Sequence, residues 1–187
     1  AAYSAVTASD DLNTLAKQSG FTTEELQKMS YASDLIDTSM EDIVHSAAKL
    51  RKSMVSTSKD TQAAFDTLGV SVKDANGHMR DSSEVYWDVV DALSKVTNET
   101  ERDQLAMQLL GKSADSLAGI VDDGGAALRQ LGDEAERAGL IMSQDTLDGL
   151  NAVNDQIDTL KATSKALLME TGAKALEAVM PVLQQVI

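Results

Sequence analysis

Apolar residues recur at spacings of three and four along most of this chain, and that periodicity predicts a mainly α-helical protein. The helices are marked by polar caps at their starts and glycines at their ends. Thr22 with Glu25, and Thr38 with Glu41, have the spacing of capping boxes and precede apolar stripes. The clearest stripe follows the second pair and consists of Ile43, Val44, Ala47, Leu50 and Met54.

The stretch 64–80 interrupts this helical pattern. Phe65 and Leu68 lie three residues apart on one helical face, and Gly69 follows where a helix end favours a left-handed residue. Beyond the stretch, Asp81 and Glu84 have the spacing of another capping box. We therefore expect one helix to end at Gly69 and the next to begin just after Asp81.

Between these two helices the pattern alternates as in a β-strand. Val70 and Val72 flank a serine, and Asn76 is followed by Gly77. Asn-Gly is the dipeptide best suited to a type I′ turn, because both central residues of that turn need a positive φ. The sequence therefore predicts one small β-hairpin at about residues 70–80.

Caps and glycines divide the chain into three predicted regions. We expect N-terminal helices over residues 1–60, a compact helical module with the hairpin over 61–139, and a long amphipathic arm over 140–187. Within the module one helix should end at Gly111. Trp87 is expected as a buried anchor, because a lone tryptophan on an apolar helix usually belongs to a core. The predicted core consists of Phe65, Leu68, Val70, Trp87, Leu105 and Leu109.

The arm carries a long apolar stripe without an aromatic residue. Its length predicts one long amphipathic helix or a coiled-coil-like arm, with a kink or restart at Gly172 or Pro181. The chain ends in a helical pattern and does not begin with methionine, so we expect it to be an excerpt of a longer protein. The stripe is the expected self-association surface and includes Leu147, Leu150, Val153, Ile157, Leu160 and Leu167.

The charge balance limits the possible partners. Sixteen basic and thirty acidic residues give a formal net charge of −14, which should repel a phosphate backbone. The basic cluster of Lys49, Arg51, Lys52 and Lys59 fits a solvated helix face. The sequence has no cysteine, which excludes disulfides and zinc-thiolate sites. No apolar run approaches the roughly 18–20 residues of a membrane span.

Candidate catalytic and metal-binding chemistry is sparse. His45 and His78 lie in different predicted elements and fit exposed positions, and no motif of a hydrolase, a metalloprotease or a nucleotide-binding protein is present. A calcium loop around Gly77 would place Val72 and Ser83 at carboxylate positions. The acids at 122–123 and 133–136 fit helix starts, where they favour the positive end of the dipole. We therefore predict no catalytic, metal or cofactor site and no enzyme.

Several strings, taken together, resemble the core region of tail tape measure proteins of long-tailed bacteriophages and prophages. The most specific is a helix with the order Glu101, Arg102, Asp103 and an end at Gly111. The matching strings are 31–37 (YASDLID), 65–77 (FDTLGVSVKDANG), 79–82 (MRDS), 90–93 (VDAL) and 98–114 (NETERDQLAMQLLGKSA).

The resemblance implies a virion structural protein. Tape measure proteins are long helical chains that fill the tail tube, set its length and leave ahead of the DNA at infection. It implies synthesis in the host cytoplasm, a place in the tail lumen, and partners among copies of itself and tube, tip or assembly proteins. An alternative is a cell-wall hydrolase or membrane-active segment of the same protein that assists DNA delivery.

Overall fold

The computed structural model describes residues 2–33, 35–36 and 38–171. This part of the chain is mainly helical, which confirms the predicted class, and contains no strand. It forms α1 (Ala2–Ser19), α2 (Thr23–Ser33), α3 (Met40–Met54), α4 (Lys59–Leu68), α5 (Ser82–Ser94), α6 (Glu99–Leu110), a 3₁₀ helix (Lys112–Leu117), α7 (Ala118–Val121), α8 (Ala126–Arg137) and α9 (Gln144–Thr171).

The chain divides into two packing units, of which the larger is Asp11–Gln144. The residues before Asp11 and after Gln144 belong to the other unit, so α1 and α9 contribute residues to both. The boundary predicted between residues 60 and 61 does not separate packing units. Helix α3 lies before it and packs against α5, α6 and the 3₁₀ helix after it. Its apolar face is too broad for one neighbouring helix to cover.

The core of the larger unit surrounds α3 and α5. Ile43 and Leu50 of α3 are fully buried, as are Val85, Val89 and Leu93 of α5. The other helices of the unit, α2 and α4 among them, contribute further buried side chains. These further buried residues include Leu109, Leu110, Leu117, Ile120 and Leu128. Burial of this apolar surface is the main force that holds the short helices together, since isolated helices of this length are marginal in water.

The prediction of a β-hairpin at residues 70–80 is wrong. Among the described residues, the β pairing consists of one antiparallel bridge between Lys73 and Met79. Val70 does not begin a strand, because its N–H donates to the Phe65 carbonyl (3.0 Å) beside a bond from Gly69 N to Asp66 O (3.1 Å). These two bonds are those of a Schellman cap. Val70 therefore belongs to the end of α4.

The turn is also wider than a type I′ turn. The bridge encloses five residues, 74–78, instead of two. The Asp74 carboxylate accepts the N–H groups of Asn76 (2.8 Å) and His78 (2.9 Å), so an aspartate side chain organises the turn. Gly77 still has a positive φ of +83°.

The predicted helix caps differ in outcome. Thr22 and Glu25 form the reciprocal capping box, because the Thr22 N–H donates to the Glu25 carboxylate (2.7 Å) and the Glu25 N–H donates to the Thr22 hydroxyl (3.1 Å). The box predicted at Thr38 is wrong. Ser39 is the N-cap of α3, and its hydroxyl accepts the N–H of Asp42 at 3.4 Å.

Helix α9 has 28 residues and begins close to the start of the predicted arm. Residues 172–187, including the expected kink sites Gly172 and Pro181, lie outside the described residues. A coiled-coil arrangement of the arm therefore stays a prediction.

Candidate functional site

The turn at 71–80 lies between α4 and α5 of the larger unit and is largely exposed. Most of its residues are exposed, including Asn76, Gly77 and His78. Backbone bonds hold the turn in one shape. The Asp74 N–H donates to the His78 carbonyl (2.9 Å), and the Gly77 N–H donates to the Asp74 carbonyl (3.0 Å). The segment therefore presents a defined surface although it contains no regular secondary structure.

Arg80 fastens the base of this turn to α5. Its guanidinium donates to the Ser71 carbonyl (3.0 Å) and forms ion pairs with Asp88 (2.8 Å) and Glu84 (3.7 Å). The Arg80 N–H also donates to the Val72 carbonyl at 3.0 Å. Both ends of the turn are thus tied to each other and to the following helix. Val72, placed in a strand by the sequence, is instead a half-buried residue at the foot of the turn.

A groove of about 500 Å³ runs between this turn and the loop after α3. Val55 and Met79 lie on it and are exposed by 69% and 45%, whereas Phe65 and Val70 on the same groove are buried. An exposed apolar side chain on each side suits contact with another molecule better than chemistry on a substrate. We find no nucleophile–base pair among the residues that line the groove.

The fully buried aromatic residue of α5 is Tyr86, not its neighbour Trp87, which the sequence predicts as the buried anchor. Tyr86 is fully buried, whereas Trp87 is only half-buried. The indole of Trp87 contacts the ring of Tyr86 edge-on, with centroids 5.3 Å apart, and lies under the Arg129 guanidinium at 5.2 Å. Gly125 leaves room for it, because a Cβ at Gly125 would lie 2.7 Å from the indole. Trp87 therefore covers the core and links α5 to α8.

The other predicted core residues lie at two depths. Phe65, Val70 and Leu109 are buried, whereas Leu68 and Leu105 are half-buried. Gly69 ends α4 in the left-handed region with φ of +68°. The Leu109 carbonyl accepts the hydroxyl of Ser53 from α3. Gly111 ends α6 with φ of +81°, and a Cβ there would lie 3.1 Å from the Lys49 side chain.

The predicted self-association stripe is unevenly exposed. Leu147 is fully buried within this chain, Leu150 and Ile157 are half-buried, and Val153 is 50% exposed. The side chains of Leu160 and Leu167 lie outside those that the structure describes. Leu147 is therefore not accessible to a partner in this structure, and the accessible part of the stripe begins at Leu150.

The acidic residues tested as metal ligands are engaged with protein groups. Asp122 pairs with Arg102 at 3.0 Å, and Asp123 accepts the N–H groups of Gly125 and Ala127. In the part of the chain that the structure describes, no group of three or more potential ligands could hold a metal ion.

Lys28 of α2 binds two acids of α8. Its ammonium lies 2.6 Å from Glu136 and 3.4 Å from Asp133. The hydrogen bond to Glu136 is the main cause that raises the pKa of Lys28. Gly132 permits this close approach, because a Cβ there would lie 2.8 Å from the Lys28 side chain.

Hydrogen bonds hold residues 142–144 against α2, and the sequence does not predict them. The Gln27 carboxamide donates to the Met142 carbonyl (2.8 Å) and accepts the Met142 N–H (2.9 Å). The Gln144 N–H donates to Glu24 (2.8 Å). The pKa of Glu24 is lowered mainly by its own backbone N–H and further by this bond from Gln144. The partners are more than a hundred positions apart, so no local pattern indicates them.

Comparison with known protein families gives a match over the segment that contains the turn and the groove. Residues 12–111 match the family described as phage-related minor tail protein. The match covers 100 of 187 residues, more than half of the chain. The chain belongs to the phage-related minor tail protein family. Comparison with curated proteins gives no match, and comparison with solved structures gives none.

Membership gives this minor tail protein a structural role in a phage tail and an association with other tail proteins. It makes the protein a virion component of a family that is generally non-enzymatic. The hydrolase and membrane-active alternatives are not favoured. Among the helices in the described residues, none is long and apolar enough to cross a bilayer.

Proposed function

We propose that this minor tail protein is a tape measure protein, which fills the tail tube during assembly and sets the tail length. The observation that carries the proposal is the family match over residues 12–111. The strings that resemble tape measure proteins fall largely within that match. A helical chain suits the role, because an α-helix has a fixed rise of about 1.5 Å per residue and converts chain length into physical length.

Packing with copies of itself is part of this proposal. The accessible stripe of α9 has the half-exposed Val153 between Leu150 and Ile157. Apolar residues spaced by three and four can bury against the same residues of a second helix. The proposed partners are further copies of the chain and tube, tip or assembly proteins of the tail.

The charge supports a place in the tail lumen. A protein that shares a tube with DNA must release it, and a net charge of −14 disfavours phosphate contacts. We therefore propose that the protein lies in the lumen and leaves ahead of the DNA.

Mass spectrometry of purified virions before and after triggered ejection tests this location. The proposal predicts peptides from 12–111 in intact virions and their loss from emptied ones, while tube proteins serve as the retained control. Full retention in emptied tails, or absence from intact virions, would contradict the proposal.

A further inference from the structure

The tip of the 71–80 turn carries the residues for a spontaneous covalent modification. Asn76 is the one asparagine of five that is followed by glycine. Both residues are exposed, and no heavy atom outside Gly77 and its two chain neighbours lies within 4 Å of the place where a Cβ of Gly77 would stand. Within the described residues, the Asn76 carboxamide has no hydrogen-bond partner. We propose that Asn76 is a deamidation site whose rate is set by the Asp74 turn.

The reaction needs only water and the chain itself. The backbone nitrogen of Gly77 loses its proton to solvent base and attacks the carboxamide carbon of Asn76. A carbon–nitrogen bond forms, and the carboxamide nitrogen leaves as ammonia after it gains a proton. Water then opens the resulting five-membered succinimide at one of its two carbonyls. The product is aspartate or isoaspartate at position 76. Glycine favours the attack because it has no side chain beside the nitrogen.

The turn restrains this attack in the folded state. The Gly77 N–H donates to the Asp74 carbonyl at 3.0 Å, which occupies the nitrogen that must attack. The Asp74 carboxylate also holds the N–H groups of Asn76 and His78, so the backbone on both sides of the reacting bond is fixed. Deamidation therefore proceeds through molecules in which the turn has opened locally.

The other asparagines and a related Asp-Gly pair lack this combination. The carboxamide oxygens of Asn13 and Asn98 accept hydrogen bonds, and both residues are followed by side-chain-bearing residues. Asp123 precedes Gly124, and an aspartate in that position can form the same ring, but both of its carboxylate oxygens accept backbone N–H groups. Among the asparagines, Asn76 is therefore the favoured site, because each of the other four is followed by a residue with a side chain.

Conversion changes the surface of the turn. The aspartate product adds a negative charge two residues from Asp74. The isoaspartate product passes the main chain through one additional carbon, which lengthens the loop between Lys73 and Met79. Both bonds that flank the bridge, Asp74 N to His78 O and Arg80 N to Val72 O, must then readjust. Aged protein should thus present a looser turn.

The test incubates the purified chain at mildly alkaline pH and follows the tryptic peptide 74–80 (DANGHMR) by chromatography and tandem mass spectrometry. Parallel samples contain native protein, protein in denaturant, and the Asp74→Ala and Asn76→Gln variants. We expect aspartate and isoaspartate at 76, several-fold faster conversion in Asp74→Ala and in denaturant, and none in Asn76→Gln. The denatured sample tests the restraint even if a variant fails to fold.

Two outcomes would overturn the proposal. The first is that native protein keeps the Asn76 amide but converts Asn13 or Asn98, while the denatured sample converts Asn76. This result would show that Asn76 is not the site in the folded protein. Equal rates in native protein, Asp74→Ala and denaturant would show that the turn does not control the reaction.

Discussion

The hydroxyls of Ser46 and Tyr86 lie 3.0 Å apart in the core, where α3 packs against α5. Ser46 Oγ also lies 2.8 Å from the Ile43 carbonyl, which can only accept. The Ser46 proton therefore points to that carbonyl, and the Tyr86 hydroxyl donates to Ser46. One buried polar pair is thus fully satisfied between the two central helices of the unit.

This direction of donation predicts an order of stability for two variants. Ser46→Ala leaves the Tyr86 hydroxyl buried without a partner and should cost about 1–3 kcal/mol. Tyr86→Phe leaves Ser46 bonded to Ile43 and should cost about 1 kcal/mol. Urea unfolding followed by the fluorescence of Trp87, the one tryptophan, measures both. The double variant should cost less than the sum. A greater loss in Tyr86→Phe than in Ser46→Ala would contradict the assigned donor.

Tyr86 also predicts how stability changes with alkaline pH. Burial raises the pKa of Tyr86 to about 12. Because this exceeds the unfolded value of about 10, the unfolded chain releases the proton first. The contribution of Tyr86 to the free energy of unfolding is therefore complete below about pH 10 and is lost between about pH 10 and 12. Urea unfolding across this pH range should show a smaller fall in the free energy of unfolding for Tyr86→Phe than for the parent protein. The control Tyr31→Phe, at an exposed position, should retain the parental fall.

Two glycines with the same φ provide a matched test of the Trp87 packing. Gly125 and Gly139 both have φ of +73°. A Cβ at Gly125 meets Trp87 at 2.7 Å, whereas one at Gly139 meets nothing within 4 Å. Gly139→Ala should cost about 1–2 kcal/mol from the left-handed conformation. Gly125→Ala should cost about 1–3 kcal/mol more and shift the Trp87 emission. Equal unfolding free energies for the two variants would be inconsistent with this contact.

The Gln27 carboxamide predicts a local effect on residues 142–144. Gln27→Ala removes both bonds to Met142. At about 1 kcal/mol for each of the two net bonds, the Met142 amide should exchange roughly thirtyfold faster with deuterium. Gln130→Ala is the control, because Gln130 bonds within its own helix to Glu134. An unchanged exchange rate at Met142 in Gln27→Ala would show that the two hydrogen bonds between Gln27 and Met142 contribute nothing to local stability.

Sequence patterns predicted the features that depend on neighbouring residues. The Thr22 and Glu25 box and the glycine end of α4 are set within one helical turn, and both were visible in the sequence. The prediction of a hairpin was wrong, because the Asp74 carboxylate binds the backbone N–H groups of Asn76 and His78. The Asn-Gly dipeptide favours a two-residue turn, but the Asp74 side chain organises the wider turn that forms.

Packing between distant segments explains the remaining differences. Periodicity places Tyr86 and Trp87 on one apolar helix, but only the position of Phe21, Gly125 and Arg129 decides which ring is covered. The hydrogen bonds between Gln27 and Met142 join positions that are 115 apart, so no local sequence pattern predicts them. Of the candidate site, the sequence indicated the segment 64–80 and its family, whereas the groove beside it depends on the loop after α3.

Tail length in a phage that carries an altered full-length gene tests the central claim most directly. Duplication of Gln144–Thr171 adds 28 residues, which at about 1.5 Å per residue lengthens a helical ruler by about 42 Å. Deletion of the same residues should shorten it equally. Asp155→Ala, which keeps the length of the chain and lies at an exposed position outside the apolar stripe, is the control. Electron microscopy should show tails that are about 42 Å longer for the duplication, about 42 Å shorter for the deletion and unchanged for the control. Tails of parental length in both length variants would contradict the account.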